Sequence, residues 1–201
     1  MDELHLEANV NPMQDAAREN DVAALHALLS SHDVDEVDQY ALTALHWACD
    51  AGSYEVADAL LQAGADANRV EDRHFKRRPV HFAALKGSKG LLELLREEGA
   101  ADMHATDGTG RTPLHCAAHS GSVEAVAWLL DVADADEMAV TYDHHTALDV
   151  ATLNYQWDVV KYLESRHDHY SRDQVKPRDT TTPSHPMPCS SSRPELDEIM
   201  S

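Results

Sequence analysis

Three histidines, His46, His81 and His115, stand 35 and 34 residues apart, and two of them have a thiol nearby: Cys49 after His46 and Cys116 beside His115. Imidazole and thiolate ligate zinc, and paired they make a nucleophile. Further candidates are His144-His145, His167-Asp168-His169, and His185 with Cys189. Neither a C-x-x-C pair nor an H-x-x-x-H spacing supports a metal set among these last groups. A Cys–His nucleophile fares no better, because on a helix neighbours such as His115 and Cys116 point about 100° apart. The chain also lacks a G-x-S-x-G nucleophile turn and a G-x-x-x-x-G-K phosphate loop. No catalytic residue, cofactor or metal is expected.

The elements that carry these histidines repeat. Thr43-Ala44-Leu45-His46-Trp47-Ala48, Arg78-Pro79-Val80-His81-Phe82-Ala83, Thr112-Pro113-Leu114-His115-Cys116-Ala117 and Thr146-Ala147-Leu148-Asp149-Val150-Ala151 begin 35, 34 and 34 residues apart. The most regular copy runs from Asp107 to Ala118. There Gly108 and Gly110 suit a tight turn, and Thr112-Pro113 supplies a capping hydroxyl followed by a φ already near its helical value. A second helical pattern follows each copy, as with Val123, Val126, Leu129 and Leu130 after Gly121.

A unit of turn, helix, glycine break and helix with this signature resembles the ankyrin repeat. The resemblance implies an all-α solenoid of about five helix-turn-helix units with short β-hairpin-like fingers, and the Pro/Ser/Thr bias after it adds a disordered C-terminal tail. It also implies a structural role for His46, His81 and His115, each bonding the Thr of its own unit and the neighbouring turn. Stacked units would hold them about 10 Å apart, several times a Zn–N bond. Cys49 and Cys116 then become small hydrophobes inside first helices.

The boundaries follow from the repeat. Residues 1–12 read as a lead-in ending at Asn11-Pro12, residues 13–170 as the repeat domain, and residues 171–201 as a Pro/Ser/Thr-rich tail. The units are expected at about 13–37, 38–72, 73–106, 107–140 and 141–170. The first lacks the T-x-L-H start and reads as a polar cap. In the third the finger is longer and basic (Arg73 to Arg78), Arg78 replaces the capping Thr, and Gly90 weakens the second helix, so this unit should open first. The fifth replaces the histidine with Asp149 and the inter-helix glycine with Tyr155, and its Trp157, Val160 and Leu163 are expected to pack at helical spacing. Within the tail, Pro194 to Met200 puts Leu196, Ile199 and Met200 on one side of a potential docking helix.

Composition agrees with a thin stack: 43% of residues are apolar but only 5% aromatic. The formal net charge is −20, of which the last 30 residues carry −1. A surface so acidic repels phosphate backbones and anionic lipid, which disfavours nucleic acid and membranes and favours a protein partner with a basic surface. Three cysteines, no apolar leader and no long apolar run point to a reducing compartment, the cytoplasm or the nucleus. The chain is expected to be a monomer.

By the resemblance, partners meet the finger tips and the exposed side of the first helices. That strip comprises Gln39, Tyr40, Leu42, Asp50 and Ala51, then His74, Phe75, Arg77, Leu85 and Lys86. It continues through Thr109, Arg111, His119 and Ser120 to Tyr142, Asp143, His145 and Asn154. Positions inside the signature, Trp47 among them, read as packing positions. Tyr40, Phe75 and Tyr142 are the aromatic anchors, and Arg73 to Arg78 is a binding hot spot, a solvated finger or an import signal. The expected function is a non-catalytic protein-interaction module. The alternative is an accessory chain of an enzyme or assembly complex with the tail as a second docking site.

Overall fold

The computed structural model describes residues 11–72 and 75–173, with side chains as far as Arg166 in the last helix. Among these residues there are ten α-helices and no strand. They pair in chain order: α1 (Pro12–Glu19) with α2 (Val22–Leu28), α3 (Ala44–Ala51) with α4 (Tyr54–Gln62), and α5 (Pro79–Leu85) with α6 (Lys89–Glu97). Then come α7 (Pro113–Ser120) with α8 (Val123–Asp131) and α9 (Ala147–Leu153) with α10 (Trp157–Asp173). First helices pack on first helices and second helices on second helices, giving two layers.

Local chemistry explains this punctuation. Thr43, Arg78, Thr112 and Thr146 hold extended backbone just before their helices, and Pro12, Pro79 and Pro113 open theirs, where a missing N–H costs nothing. The first unit therefore starts one residue earlier than its sequence suggested, with Asn11 in the cap position and Pro12 inside the helix. Each first helix is closed by a left-handed residue: Asn20, Gly52, Gly87, Gly121 and Tyr155, with φ between 56° and 84°. At Tyr155 a side chain sits where three other units use glycine, at a cost of about 1–2 kcal/mol. The turns then reset the chain for second helices, whose N-termini Asp21, Ser88 and Ser122 cap with side-chain oxygens.

Small residues let the layers approach. Ala44, Ala48, Ala83, Ala84, Ala117, Ala118, Ala147 and Ala151 are fully buried in first helices, and Leu60, Leu91, Leu92, Leu95, Leu129 and Leu163 in second helices. Trp157 departs from its expected packing role. It is the first residue of α10, 55% exposed, and its inward place is taken by the buried Val159. Arg96 on α6 lies over the ring of Trp128 in the next unit, 5.8 Å from its centroid.

The histidines brace their own helix starts, and two of them also reach toward the next finger. Nδ1 of His46 and of His115 accepts from the backbone N–H of Thr43 and Thr112, at 3.1 and 3.2 Å, and pairs with their hydroxyls at 2.9 Å. With Nδ1 as acceptor, Nε2 carries the proton: His81 bonds the Ala105 carbonyl just before the fourth finger and His115 the His145 carbonyl of the following unit, both at 3.1 Å, whereas Nε2 of His46 is buried without a hydrogen bond. The first and last described units each keep half of this device. Gln14 stands at the histidine position of the first unit and donates onward to the Glu36 carbonyl at 2.8 Å. Asp149 accepts from the N–H and hydroxyl of Thr146, both at 2.8 Å, and has no proton to pass on. Acceptor-only chemistry suits this unit, after which no finger stands among the described residues.

Gly90 lies in α6 with an ordinary helical φ, and a methyl there would meet only the Tyr54 ring, at 3.8 Å. Gly90→Ala is therefore expected to stabilise the chain by about 0.5–1 kcal/mol, read as a rise in melting temperature. The potential docking helix from Pro194 to Met200, and the rest of the tail beyond Asp173, lie outside the described residues.

Candidate functional site

Four fingers project from the first-helix layer, and each is closed by one backbone bond. Asp38 N–H donates to Leu42, Glu71 to Arg77, Asp107 to Arg111 and Thr141 to His145, at 2.8 to 3.0 Å. These are hairpin-like turns without ladder strands. In the regular fingers an aspartate wraps the loop: Asp38 Oδ1 accepts from Tyr40 and Leu42, and Asp107 Oδ1 from Thr109 and Arg111. The third finger is two residues longer, and a longer carboxylate spans it, Glu71 accepting from the Phe75 N–H at 3.4 Å. Adjacent fingers are also tied, Gly108 N–H to the Phe75 carbonyl and Tyr142 N–H to that of Thr109. A Cβ at Gly108 would stand 2.9 Å from that Phe75 oxygen, which explains the glycine.

The second and third fingers and helices α1, α3 and α5 enclose a groove of about 480 Å³. Its lining includes Tyr40, Leu42, Trp47, Phe75 and Phe82, with Asp15, Arg18, Asp38, Glu71 and Arg77 among them. Trp47 is its centre. The indole N–H donates to Asp38 Oδ2 at 2.8 Å, Tyr40 meets the ring edge-on at 6.5 Å, and the Arg18 guanidinium lies 5.2 Å over it. On the other side Arg77 stacks 4.5 Å over Phe75 and 6.0 Å over Phe82. Phe82 in turn meets the buried His46 imidazole edge-on at 5.5 Å.

Of the residues expected at the site, the groove gathers Tyr40, Leu42, Phe75 and Arg77, with Gln39. Tyr40 is 51% exposed and Phe75 45%. Asp50 and Lys86 are exposed along the helices. Farther along the strip, outside this groove, come half-buried Thr109, Arg111, His119, His145 and Asn154, then exposed Tyr142 and Asp143. Several of these also have internal work. Thr109 Oγ1 bonds Asp107 at 2.6 Å, the His145 carbonyl receives His115, and Asn154 Nδ2 donates to the Val150 carbonyl at 2.8 Å. The basic finger is partly committed too: Arg77 Nε lies 3.7 Å from Asp107 Oδ2, and Arg78 pairs with Asp102 at 3.2 Å. Arg73 and His74 lie outside the described residues.

Trp47 was legible as a packing position and is a groove residue. It occupies the variable place between His and Ala of the signature, which turns toward the fingers. The second and third units have rings there, Trp47 and Phe82, whereas the fourth and fifth have Cys116 and Val150. That substitution pattern was the available signal.

The reactive side chains are occupied or buried. His115 and His119 are four residues apart on α7, but both His115 nitrogens are taken by Thr112 and His145. Burial lowers the affinity of His46 for protons, bringing its pKa to about 4, and lowers those of His81 and His115. Burial also pushes the thiols of Cys49 and Cys116 up, the latter to about 12, so neither offers a thiolate near neutral pH. Among the described residues no helix is long and apolar enough to cross a membrane.

A stack of helix pairs joined by fingers, with a signature histidine bonded to the cap of its own helix in three of them, defines a repeat protein. The family model of ankyrin repeats (3 copies) matches residues 2–71 and 80–173, and the chain belongs to the ankyrin-repeat family. Curated relatives include the tyrosine-protein kinase HTK16 of Hydra vulgaris, 34% identical over 136 residues, which span 67% of this chain and 17% of that protein. Inversin of Canis lupus familiaris is 38% identical over 117 residues, 57% of this chain and 10% of its own length. The E3 ubiquitin-protein ligase KEG of Arabidopsis thaliana is 31% identical over 163 residues, 73% of this chain and 10% of its own length. The chain thus spans less than a fifth of each of these relatives. Ankyrin repeats are protein–protein interaction modules and typically non-catalytic.

Proposed function

We propose that this chain binds a protein partner without catalysing a reaction, and that the partner seats on the groove between the second and third fingers. The observation that carries this is the exposure of large rings around a concave space: Tyr40 and Phe75 are about half exposed beside Trp47 and Phe82. Aromatic side chains at a concave centre are the residues that dominate interface energies. The chain's formal charge of −20 favours a partner with a basic surface over nucleic acid or an anionic membrane. Two buried free thiols, Cys49 and Cys116, suit a reducing compartment, and we place the chain in the cytoplasm or nucleus. The adaptor reading draws support from relatives named as a kinase and a ubiquitin ligase, which resemble this chain over a small part of their length.

The test is affinity purification of the full chain with mass spectrometry, wild type against Tyr40→Ala/Phe75→Ala. Both side chains are exposed, so melting temperature should hold while recovery of the specific partner falls at least about tenfold, as removal of interface anchors requires. Unchanged recovery with an intact fold would overturn the reading.

A further inference from the structure

The structure assigns the groove a finer preference: we propose that it binds an arginine of a linear basic segment, whose guanidinium takes the place of Arg18 on the Trp47 ring. This rests on the protein-binding reading and names the chemistry of the partner.

The chain already shows how such a group fits. Arg18 lies 5.2 Å over Trp47 and reaches Asp15 at 3.5 Å, yet the side chains of Arg18 and Asp15 are 57% and 54% exposed. A contact this open, between a flexible side chain and a neighbour three residues away, is worth little and is easily exchanged. What Arg18 exchanges for is better placed. The indole is fixed by its bond to Asp38 Oδ2, Tyr40 closes its edge, and Asp38 is itself locked by two finger N–H groups. An arriving guanidinium therefore meets a ring and two carboxylates, Asp15 and Asp38, that need no rearrangement. A planar fork can stack and pair at once, which an ammonium cannot, so arginine is preferred to lysine.

Charge decides between cationic and acidic segments. Around Trp47 stand Asp15 and Asp38 with Arg18, and the charge of Arg77 across the groove is already answered by Asp107. At that ring an acidic segment would face two carboxylates, Asp15 and Asp38, with one exposed arginine, Arg18, to help it. The rest of the chain adds to this, since its formal charge is −20 and steers cations inward.

The test selects a random peptide library on the full chain, then measures the enriched peptides against wild type, Arg18→Ala and Trp47→Leu by fluorescence polarisation. Enriched peptides should share a fixed arginine, and its replacement by glutamate should abolish binding. Trp47→Leu should weaken binding at least about tenfold, while Arg18→Ala should tighten it about two- to fivefold by removing the internal competitor. Arg18 is exposed, so that variant tests the idea even if Trp47→Leu fails to fold. Peptides with no fixed arginine, or binding weakened by Arg18→Ala, would overturn the arginine subsite and leave the protein-binding reading standing. A library that yields no peptide would overturn the subsite as well, and the protein-binding reading would then be judged by the co-purification above.

Discussion

Replacing Asp107 with alanine is expected to destabilise the chain by about 3–5 kcal/mol, the range for breaking a buried ion pair from one side. The Asp107 carboxylate has no solvent exposure, and its two oxygens do different work. Oδ1 accepts from the N–H groups of Thr109 and Arg111 and from the Thr109 hydroxyl, which shapes the fourth finger. Oδ2 makes no hydrogen bond but lies 3.7 Å from Arg77 Nε, which is likewise buried and without a hydrogen bond. The pair is thus Coulombic and holds the third finger to the fourth. Asp107→Asn should keep the finger bonds and lose the pair, and so cost less than alanine. Adding Arg77→Met to Asp107→Asn should recover part of that loss, because the partly buried cation left without its partner is gone. Urea unfolding of the four proteins checks the order. Equal stability of wild type and Asp107→Ala would refute it.

Acid is expected to weaken the stack well before its carboxylates titrate. An unfolded histidine takes up a proton below about pH 6.5, but His46 in the folded chain does so only near pH 4, because burial disfavours its charged form. Between those values the unfolded chain binds more protons, so stability falls as pH falls. From pH 7 to pH 5, His46 alone should remove about 2 kcal/mol. His81 and His115 are shifted the same way for the same reason and add to the loss. Asp149, held below the usual carboxylate range by its bonds to Thr146, contributes only at lower pH. The melting temperature should drop by about 5 °C or more over that interval. A flat profile from pH 7 to pH 5 would contradict the buried, neutral state of these imidazoles.

The fold was legible because its determinants are local and recur. A capping residue, a signature histidine and a left-handed closing residue state one unit, and the spacing from Thr43 to Arg78, Thr112 and Thr146 states the stack. What stayed hidden depends on neighbouring units. Gln14 does not look like a histidine, yet an amide N–H reaches the Glu36 carbonyl just as an imidazole N–H would. Tyr155 takes the left-handed turn that its residue type resists. Arg77 looks like a surface cation of a basic finger, but its side chain is only 21% exposed because Asp107 lies across the unit boundary. Half of the candidate site was readable for a similar reason. The finger aromatics are exposed by their place in the turn, whereas Trp47 joins them only because the longer third finger and α1 wall the space around it.

The account stands most directly on where a partner protects the chain. Hydrogen–deuterium exchange of the full chain, alone and with its co-purified partner, is predicted to show slowed exchange across residues 38–42, 71–78 and α3, with α4, α6 and α8 unchanged. Protection concentrated on α4, α6 and α8, with the fingers exchanging as before, would contradict the assignment of the groove.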